Sequence, residues 1–231
     1  MTMVQAGDSA AGLGNLAVWP AGQKIEPLPG TSAFALTRFM DTDAYHPTMI
    51  ARLLEFARDP AVAVEQGRAI GGTKIYHIHQ MQLPELAFIC ARATALFRLV
   101  LGAESAVIDM SWANIYGSGD YSLPHSHLRA KASIVYCVDA GDPDPTDPWS
   151  GQFCFVDPRL ASCCQSEAGH VTNPVMPGLR AGTMLIFPGQ AVHCVGAYVG
   201  TRPRITLSWN INTIALPGEA SVPIPRQFGE M

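Results

Sequence analysis

Two histidine pairs with a single residue between their members stand out in the chain, because closely spaced imidazoles can hold a metal ion. The pairs are His77 with His79 and His125 with His127. In an extended segment residues i and i+2 face the same side, so the two imidazoles of a pair can converge on one point. The first pair lacks a third partner in its own segment, and we expect it to line the surface or a pocket. The second pair is the candidate metal site.

This second pair has suitable partners further along the chain. His193 lies at the start of a predicted strand, and Arg204 and Thr206 fall on one face of a later one. Two close ligands and a distant third can form a facial three-ligand site for a metal such as Fe(II). An arginine beside such a site can bind a carboxylate through two hydrogen bonds. The ordered set therefore predicts a metal centre next to a carboxylate-binding pocket.

Other residues could replace parts of this set. Asp120 and Asp157 are the alternative ligands if His127 is not one, although acidic residues in turns more often cap the local backbone. Arg202 is the alternative to Arg204. The proline that follows Arg202 marks the beginning of a strand rather than its interior, which favours Arg204.

Two helices and a series of short strands must position these residues. Apolar residues at helical spacing predict one helix over residues 45–58, with Asp43 as its N-cap and Pro47 in its first turn. They also predict a second, largely buried helix over 84–101, ended by Gly102. Strands are predicted over residues 31–39, 107–116, 131–138, 152–156, 183–187, 192–198 and 204–211, with a long loop over 157–180. Short strands separated by Gly and Pro are typical of a β-sandwich or jelly roll, so we expect a mainly β fold with two N-terminal helices packed on it.

The length of 231 residues fits one domain. Residues 1–30 are rich in Gly, Ala and Pro and show no periodicity, so we expect an irregular lead segment there. A single domain is predicted to follow over 31–231. Its helical part spans about 45–102 and its β core about 107–212.

Composition excludes several classes of protein. The content of 21 Gly and 18 Pro excludes a coiled coil. The chain has only 15 Lys and Arg, no run of basic residues and a net charge of −4, which argues against a nucleic-acid partner. No apolar run reaches about 18 residues, so no membrane span is expected, and the N-terminus does not resemble a secretory signal. Six cysteines without a C-x-x-C pair predict reduced thiols in a cytoplasmic protein. The charged fraction of 15% favours a homo-oligomer.

The chain between about Val107 and Ile211 resembles the iron(II)/2-oxoglutarate-dependent oxygenases. It is most similar to a bacterial group of that superfamily with an H-x-H…H pattern. The order and spacing of four segments carry this resemblance: SWANIYGSGDYSLPHSHLRAKASIVYCVDA, GQFCFVDPR, AGTMLIFPGQAVHCV and RPRITLSWNI. The resemblance implies a double-stranded β-helix, the cupin-like form of the jelly roll, with Fe(II) near its mouth.

The resemblance also implies roles for individual residues. His125 matches the first metal ligand and His193 the distal one, while His127 replaces the Asp that the superfamily usually has between them. Three neutral imidazoles leave Fe(II) with its full charge of +2, whereas an Asp ligand would reduce it to +1. A 2-oxoglutarate dianion could still neutralise that charge.

Four further positions match residues that contact the co-substrate in this family. Arg204 falls on the residue that pairs with the distal carboxylate of 2-oxoglutarate, and Thr206 assists it. Tyr116 and Asn114, on the strand before the ligand loop, match positions that face the co-substrate. These four are the predicted cofactor-binding residues.

The function implied is that of an Fe(II)/2-oxoglutarate-dependent dioxygenase. It would hydroxylate or otherwise oxidise an unidentified organic substrate, a small molecule or a peptide, and release succinate and CO2. Two alternatives lack 2-oxoglutarate chemistry: a cupin-like protein that binds a metal or small ligand, and a three-histidine thiol dioxygenase. Arg204 and Thr206 at their spacing from His193 favour the first function, because a simple binding cupin does not need them.

Overall fold

The computed structural model describes residues 13–28, 34–157 and 174–218. Helices and strands in these residues are α1 (His46–Phe56), α2 (Pro84–Leu101), β1 (Glu26–Pro27), β2 (Ala35–Arg38), β3 (Ala63–Glu65), β4 (Thr73–Tyr76), β5 (Val107–Tyr116), β6 (Ser122–His125), β7 (Ala132–Asp139), β8 (Phe153–Phe155), β9 (Thr183–Pro188), β10 (His193–Val195) and β11 (Arg204–Asn212), with short 3-10 helices at Thr42–Ala44 and Ile78–Gln80.

The strands form two antiparallel sheets. The large sheet has the order β1-β2-β9-β7-β11-β5-β4-β3, and the small one has the order β6-β10-β8. Between β5 and β11 the chain crosses from one sheet to the other six times, because β6, β8 and β10 belong to the small sheet and β5, β7, β9 and β11 to the large one. This alternation is typical of a jelly roll, and it confirms the predicted fold class of a mainly β jelly roll with two helices.

Both helices pack on the outer face of the large sheet. Along β11 the side chains alternate, and its apolar members, among them Leu207 and Trp209, are buried in the same cluster as Leu86 and Ile89 of α2. Trp209 also donates a hydrogen bond from Nε1 to the Sγ of Cys90 at 3.2 Å. Burial of each such side chain contributes about 1.5–3 kcal/mol, so this face holds the large sheet in place.

The predicted ends of α2 are confirmed, and the predicted start of α1 is wrong in one respect. Gly102 ends α2 in the left-handed conformation, with φ of 61°. Pro47 lies in the first turn of α1, but Tyr45 is its N-cap and makes no side-chain capping bond. Asp43, the predicted cap, lies in the 3-10 helix just before it.

The inner face of β11 is polar along its whole length. Its side chains alternate with the apolar ones of the outer face, and all of them are buried: Arg204, Thr206, Ser208, Asn210 and Asn212. Burying polar groups is unfavourable unless they find partners. Thr206, Ser208, Asn210 and Asn212 have hydrogen-bond partners within the protein. Nη1 of Arg204 has none among the described residues, so this end of the face can accept a ligand.

The described part of the lead segment, residues 13–28, packs on the core. Leu13, Leu16 and Trp19 contact the cluster beneath the helices. The buried Arg92 of α2 donates hydrogen bonds to the carbonyls of Ala17 and Val18 at 3.1 and 3.0 Å. Residues 1–12 and 29–33 lie outside the described residues, and so does most of the predicted loop, 158–173. The division into a lead segment and one domain stays a prediction.

Candidate active site

The three predicted metal ligands converge. His125 ends β6 and His193 begins β10, and the two are paired in register across the small sheet. His127 lies two residues beyond β6, where its backbone N–H donates to the carbonyl of Gly189 at 2.6 Å. One ring nitrogen from each histidine lies within 4.8 Å of the others.

Backbone carbonyls orient two of the three imidazoles. Nδ1 of His125 lies 2.7 Å from the carbonyl oxygen of Leu123, and Nδ1 of His193 lies 2.9 Å from that of Ala191. A carbonyl can only accept, so each Nδ1 carries the proton and each Nε2 keeps its lone pair. Metal-binding histidines are typically oriented in this way, by a hydrogen bond from the ring nitrogen that does not bind the metal.

The environment of all three histidines favours the neutral form of the imidazole. Burial lowers the pKa of His193 to about 3 and holds the pKa of His127 well below its ordinary value. Burial also lowers the pKa of His125, although that residue reaches solvent at the mouth of the cleft. The ring of Phe153 stacks on His193 with centroids 5.1 Å apart. Neutral imidazoles in an apolar surround are suited to bind a metal ion.

The four predicted co-substrate residues line the same cleft as the histidines. They are neighbours across β5 and β11, with Arg204 opposite Tyr116 and Thr206 opposite Asn114. Asn114 donates from Nδ2 to Thr206 Oγ1 at 3.2 Å, and the Tyr116 hydroxyl lies 2.8 Å from Ser122 Oγ.

Arg204 is buried, and it forms no ion pair with any acidic residue in the described ranges. The residue is 4% exposed, and its Nη1 is buried with no hydrogen-bond partner among the described residues. Its guanidinium lies over the Tyr116 ring, 5.1 Å from the centroid. A buried guanidinium with a free donor fits a carboxylate, whose two oxygens match the guanidinium fork.

The alternative residues lie elsewhere. Arg202 is exposed, forms an ion pair with Asp139 at 3.4 Å and donates to the carbonyl of Gly141. Asp120 accepts the backbone N–H of Gly117 at 2.7 Å, and Asp157 accepts that of Val192 at 3.0 Å. In the described parts of the chain neither carboxylate joins the histidine cluster.

The other histidine pair is separate from this cluster. The chain turns into the left-handed region at His77, so the rule that i and i+2 share a face does not apply there. The two rings lie 6.2 Å apart, and His79 Nδ1 lies 2.6 Å from Ser111 Oγ. His77 lines a surface pocket with Asp109 and Ile214, in agreement with the expectation for this pair.

Several polar residues of the site were not identified from the sequence. Ser208 and Asn210 continue the polar face of β11, and the alternation of RITLSWNIN could have shown that they accompany Arg204. Lys74 and Tyr76 of β4 face the same interior, beside Trp112 of β5. Strand β4 has only four residues, so its sequence shows no alternation from which Lys74 and Tyr76 could have been identified.

Residues 110–210, a little under half of the chain, match the family model described as "Putative 2OG-Fe(II) oxygenase". This segment of the chain is thus similar to the 2OG-Fe(II) oxygenases. The predicted resemblance to this family of oxidoreductases is confirmed. The cofactors that the family's name states are Fe(II) and 2-oxoglutarate, and the histidine cluster suits the iron.

Solved structures of such oxygenases share the fold. The non-heme alpha-ketoglutarate-dependent epimerase SnoN of nogalamycin biosynthesis is 16% identical with a TM-score of 0.58, over 84% of this chain and 88% of that one. EctD from S. alaskensis with bound Fe is 16% identical with a TM-score of 0.57, over 85% and 86%. A Pseudomonas putida prolyl-4-hydroxylase is 19% identical with a TM-score of 0.52, over 77% and 91%. At these identities the likeness concerns the fold alone.

No curated protein sequence matches the chain. In the described ranges no helix combines the length and the apolar character needed to cross a membrane.

Proposed function

We propose that this oxygenase is an Fe(II)- and 2-oxoglutarate-dependent dioxygenase that oxidises a small organic substrate. His125, His127 and His193 are its proposed iron ligands, and Arg204 is the proposed anchor of the keto acid. One observation carries the proposal: a buried guanidinium with an unpartnered Nη1 lines the same cleft as three converging imidazoles.

Each group of residues has a distinct task in this proposal. When bound, Fe(II) and 2-oxoglutarate supply the oxidising chemistry from dioxygen, with release of succinate and CO2. The carbonyls of Leu123 and Ala191 hold the imidazoles in the tautomer that presents Nε2. Arg204 and Thr206 bind the far carboxylate and so orient the keto acid before the reaction.

Aromatic residues shield two of the proposed metal ligands, His127 and His193, from water. Phe153 and Phe187 pack against His193, with ring centroids at 5.1 and 4.8 Å. Trp112 packs against His127 at 5.4 Å. An apolar surround of this kind strengthens the ion pair at Arg204 and protects the reaction from side reactions with water.

The two alternative functions explain less of the site. A cupin-like binding protein or a three-histidine thiol dioxygenase could use the same imidazoles. Neither needs a buried arginine next to Thr206 and Asn114, and an unused buried charge would only destabilise the fold.

The proposal is tested by anaerobic titration of the Fe(II)-loaded protein with 2-oxoglutarate. A keto acid that chelates Fe(II) through its carboxylate and ketone gives a weak visible charge-transfer band. In air, slow succinate formation should follow even without the substrate. The variant His193→Ala, which should not retain the metal, is the matched control. Absence of both band and succinate in protein with confirmed Fe(II) would refute the proposal and favour the cupin-like alternative.

A further inference from the structure

A cavity of about 440 Å³ opens beside His125 and His127. It shares five residues with the cleft that contains Arg204: Lys74, Trp112, Ser122, His125 and His127. A molecule in this cavity would therefore lie against the metal ligands, on the side away from Arg204. Its volume is within the range of pockets that bind small organic molecules.

Most of the cavity wall is apolar. Ile70, Leu123 and Leu128 line it together with Met110 and Trp112. Two of these side chains, Leu123 and Leu128, are exposed, at 47% and 84%. The wall therefore fits a ligand with an apolar body.

One cation in this wall, Lys74, forms no ion pair with an acidic residue in the part of the chain that the structure describes. The pKa of Lys74 is lowered to about 8 by burial, and no charged neighbour offsets that burial. Its Nζ lies 5.9 Å from the centroid of the Trp112 ring. The single carboxylate among the lining residues, Asp109, is already paired with Arg129 through two bonds of 2.8 and 2.9 Å.

A second polar group next to Lys74 also lacks a partner. The hydroxyl of Tyr76 is buried and makes no hydrogen bond within the described residues. Lys74 and Tyr76 are i and i+2 on β4, so both side chains face the cavity. Together they offer one positive charge and one neutral donor.

We propose that this cavity binds a small molecule with an apolar body and one carboxylate, and that Lys74 and Tyr76 bind the carboxylate. Two donors match the two oxygens of a carboxylate, and one cation balances its single charge. A phosphate ester would bring more charge and more acceptors than these two side chains satisfy. The inference rests on the proposed function in one respect: it takes the molecule in this cavity to be the substrate that is oxidised.

The test uses matched pairs of probes: 4-phenylbutyrate with 4-phenylbutanamide, and octanoate with octanamide. Binding is measured by calorimetry on Zn(II)-loaded protein saturated with 2-oxoglutarate, and again on metal-free protein. No oxidation is needed, so a failure of the oxygenase chemistry leaves this measurement intact. Measurement on metal-free protein excludes direct ligation of the probe to the metal.

Wild-type protein should bind each carboxylate more tightly than its amide. Lys74→Met keeps the apolar stem and should weaken carboxylate binding about 10- to 100-fold, while amide binding changes about 2-fold or less. Tyr76→Phe should weaken carboxylate binding by a smaller factor. Lys131→Met is the matched control, because that lysine is exposed and lies outside the cavity.

Three results would overturn the proposal. The first is equal affinity of carboxylate and amide for wild-type protein. The second is carboxylate binding that depends on zinc but not on Lys74. The third is a loss of 2-oxoglutarate affinity in Lys74→Met as large as the loss for the probes, which would assign this lysine to the co-substrate instead.

Discussion

Replacement of Arg204 by methionine separates a ligand-binding role from a structural one. The side chain is 4% exposed and its Nη1 has no hydrogen-bond partner in the described chain. Its visible favourable contact is the Tyr116 ring, 5.1 Å from the guanidinium carbon. A buried guanidinium without a counterion destabilises the ligand-free fold, and it becomes stabilising only when it pairs with a bound carboxylate.

The expected loss of affinity follows from this burial. Truncating one partner of a buried, hydrogen-bonded charge pair costs about 2–5 kcal/mol. This corresponds to a roughly 30- to 4000-fold weaker binding of 2-oxoglutarate by Arg204→Met. Arg204→Lys keeps the charge but loses the planar fork, so its affinity should fall between those of the other two proteins.

The assay combines equilibrium binding of 2-oxoglutarate with thermal unfolding. Arg202→Met is the matched control, because Arg202 is exposed and bound to Asp139. In the absence of 2-oxoglutarate the melting temperature of Arg204→Met should equal or exceed that of the wild type, since the change removes an unpaired buried donor. Wild-type affinity in Arg204→Met, or an equal loss in Arg202→Met, would refute the assigned role. A strongly lowered melting temperature of ligand-free Arg204→Met would make Arg204 a structural residue.

Two further predictions concern histidines. His127→Ala should lose bound metal about as severely as His125→Ala, because both imidazoles belong to the cluster whose ring nitrogens lie within 4.8 Å of one another. The measurement is the metal content per chain. A normal metal content in His127→Ala would contradict the three-histidine assignment. Burial lowers the pKa of His46 in the folded protein to about 4, below its value in the unfolded chain. The contribution of neutral His46 to the free energy of unfolding is therefore complete above about pH 6.5 and declines as the pH falls toward 4. The decline should amount to about 3 kcal/mol at most, and urea unfolding of His46→Gln should show a flatter dependence between these pH values.

The larger elements of the fold could be predicted because local signals agree with the tertiary structure. Pro84 and Gly102 bound α2 at positions where each residue is favoured for local reasons. Strands β5 and β11 have ten and nine residues, and most of β5 and all of β11 are buried on both faces. In contrast β3 and β4 have three and four residues and form only because they pair with each other and with β5. Such pairing is not encoded in a short window of sequence.

The residues of the candidate site also differ in whether the sequence alone could identify them. His125 and His193 could be proposed as ligands because metal ligation restricts residue type and spacing, although β6, the strand that ends at His125, is absent from the predicted strands. That strand, β6, contains Pro124 and is defined by its pairing with β10. Lys74 could not be found, because TKIY resembles any short strand with an exposed lysine. Its burial depends on the position of β4 next to β5.

The absence of an Asp ligand and the presence of Lys74 are connected through charge. With Fe(II), three neutral imidazoles, Arg204, Lys74 and a keto-acid dianion, the proposed site carries a net charge of about +2 from these formal charges. A substrate carboxylate reduces it to about +1. An H-x-D site with the same two cations and a neutral substrate has that same charge. The anionic substrate thus restores the balance that the usual Asp would supply.

This balance makes His127→Asp informative. The variant should retain metal, because a carboxylate is a suitable ligand for Fe(II). Its added negative charge lies next to the cavity and should weaken binding of 4-phenylbutyrate while leaving 4-phenylbutanamide almost unchanged. Calorimetry on the Zn(II)-loaded variant measures both. If the two probes lose affinity equally, His127 affects the cavity through its shape, and the charge argument for a carboxylate substrate is wrong.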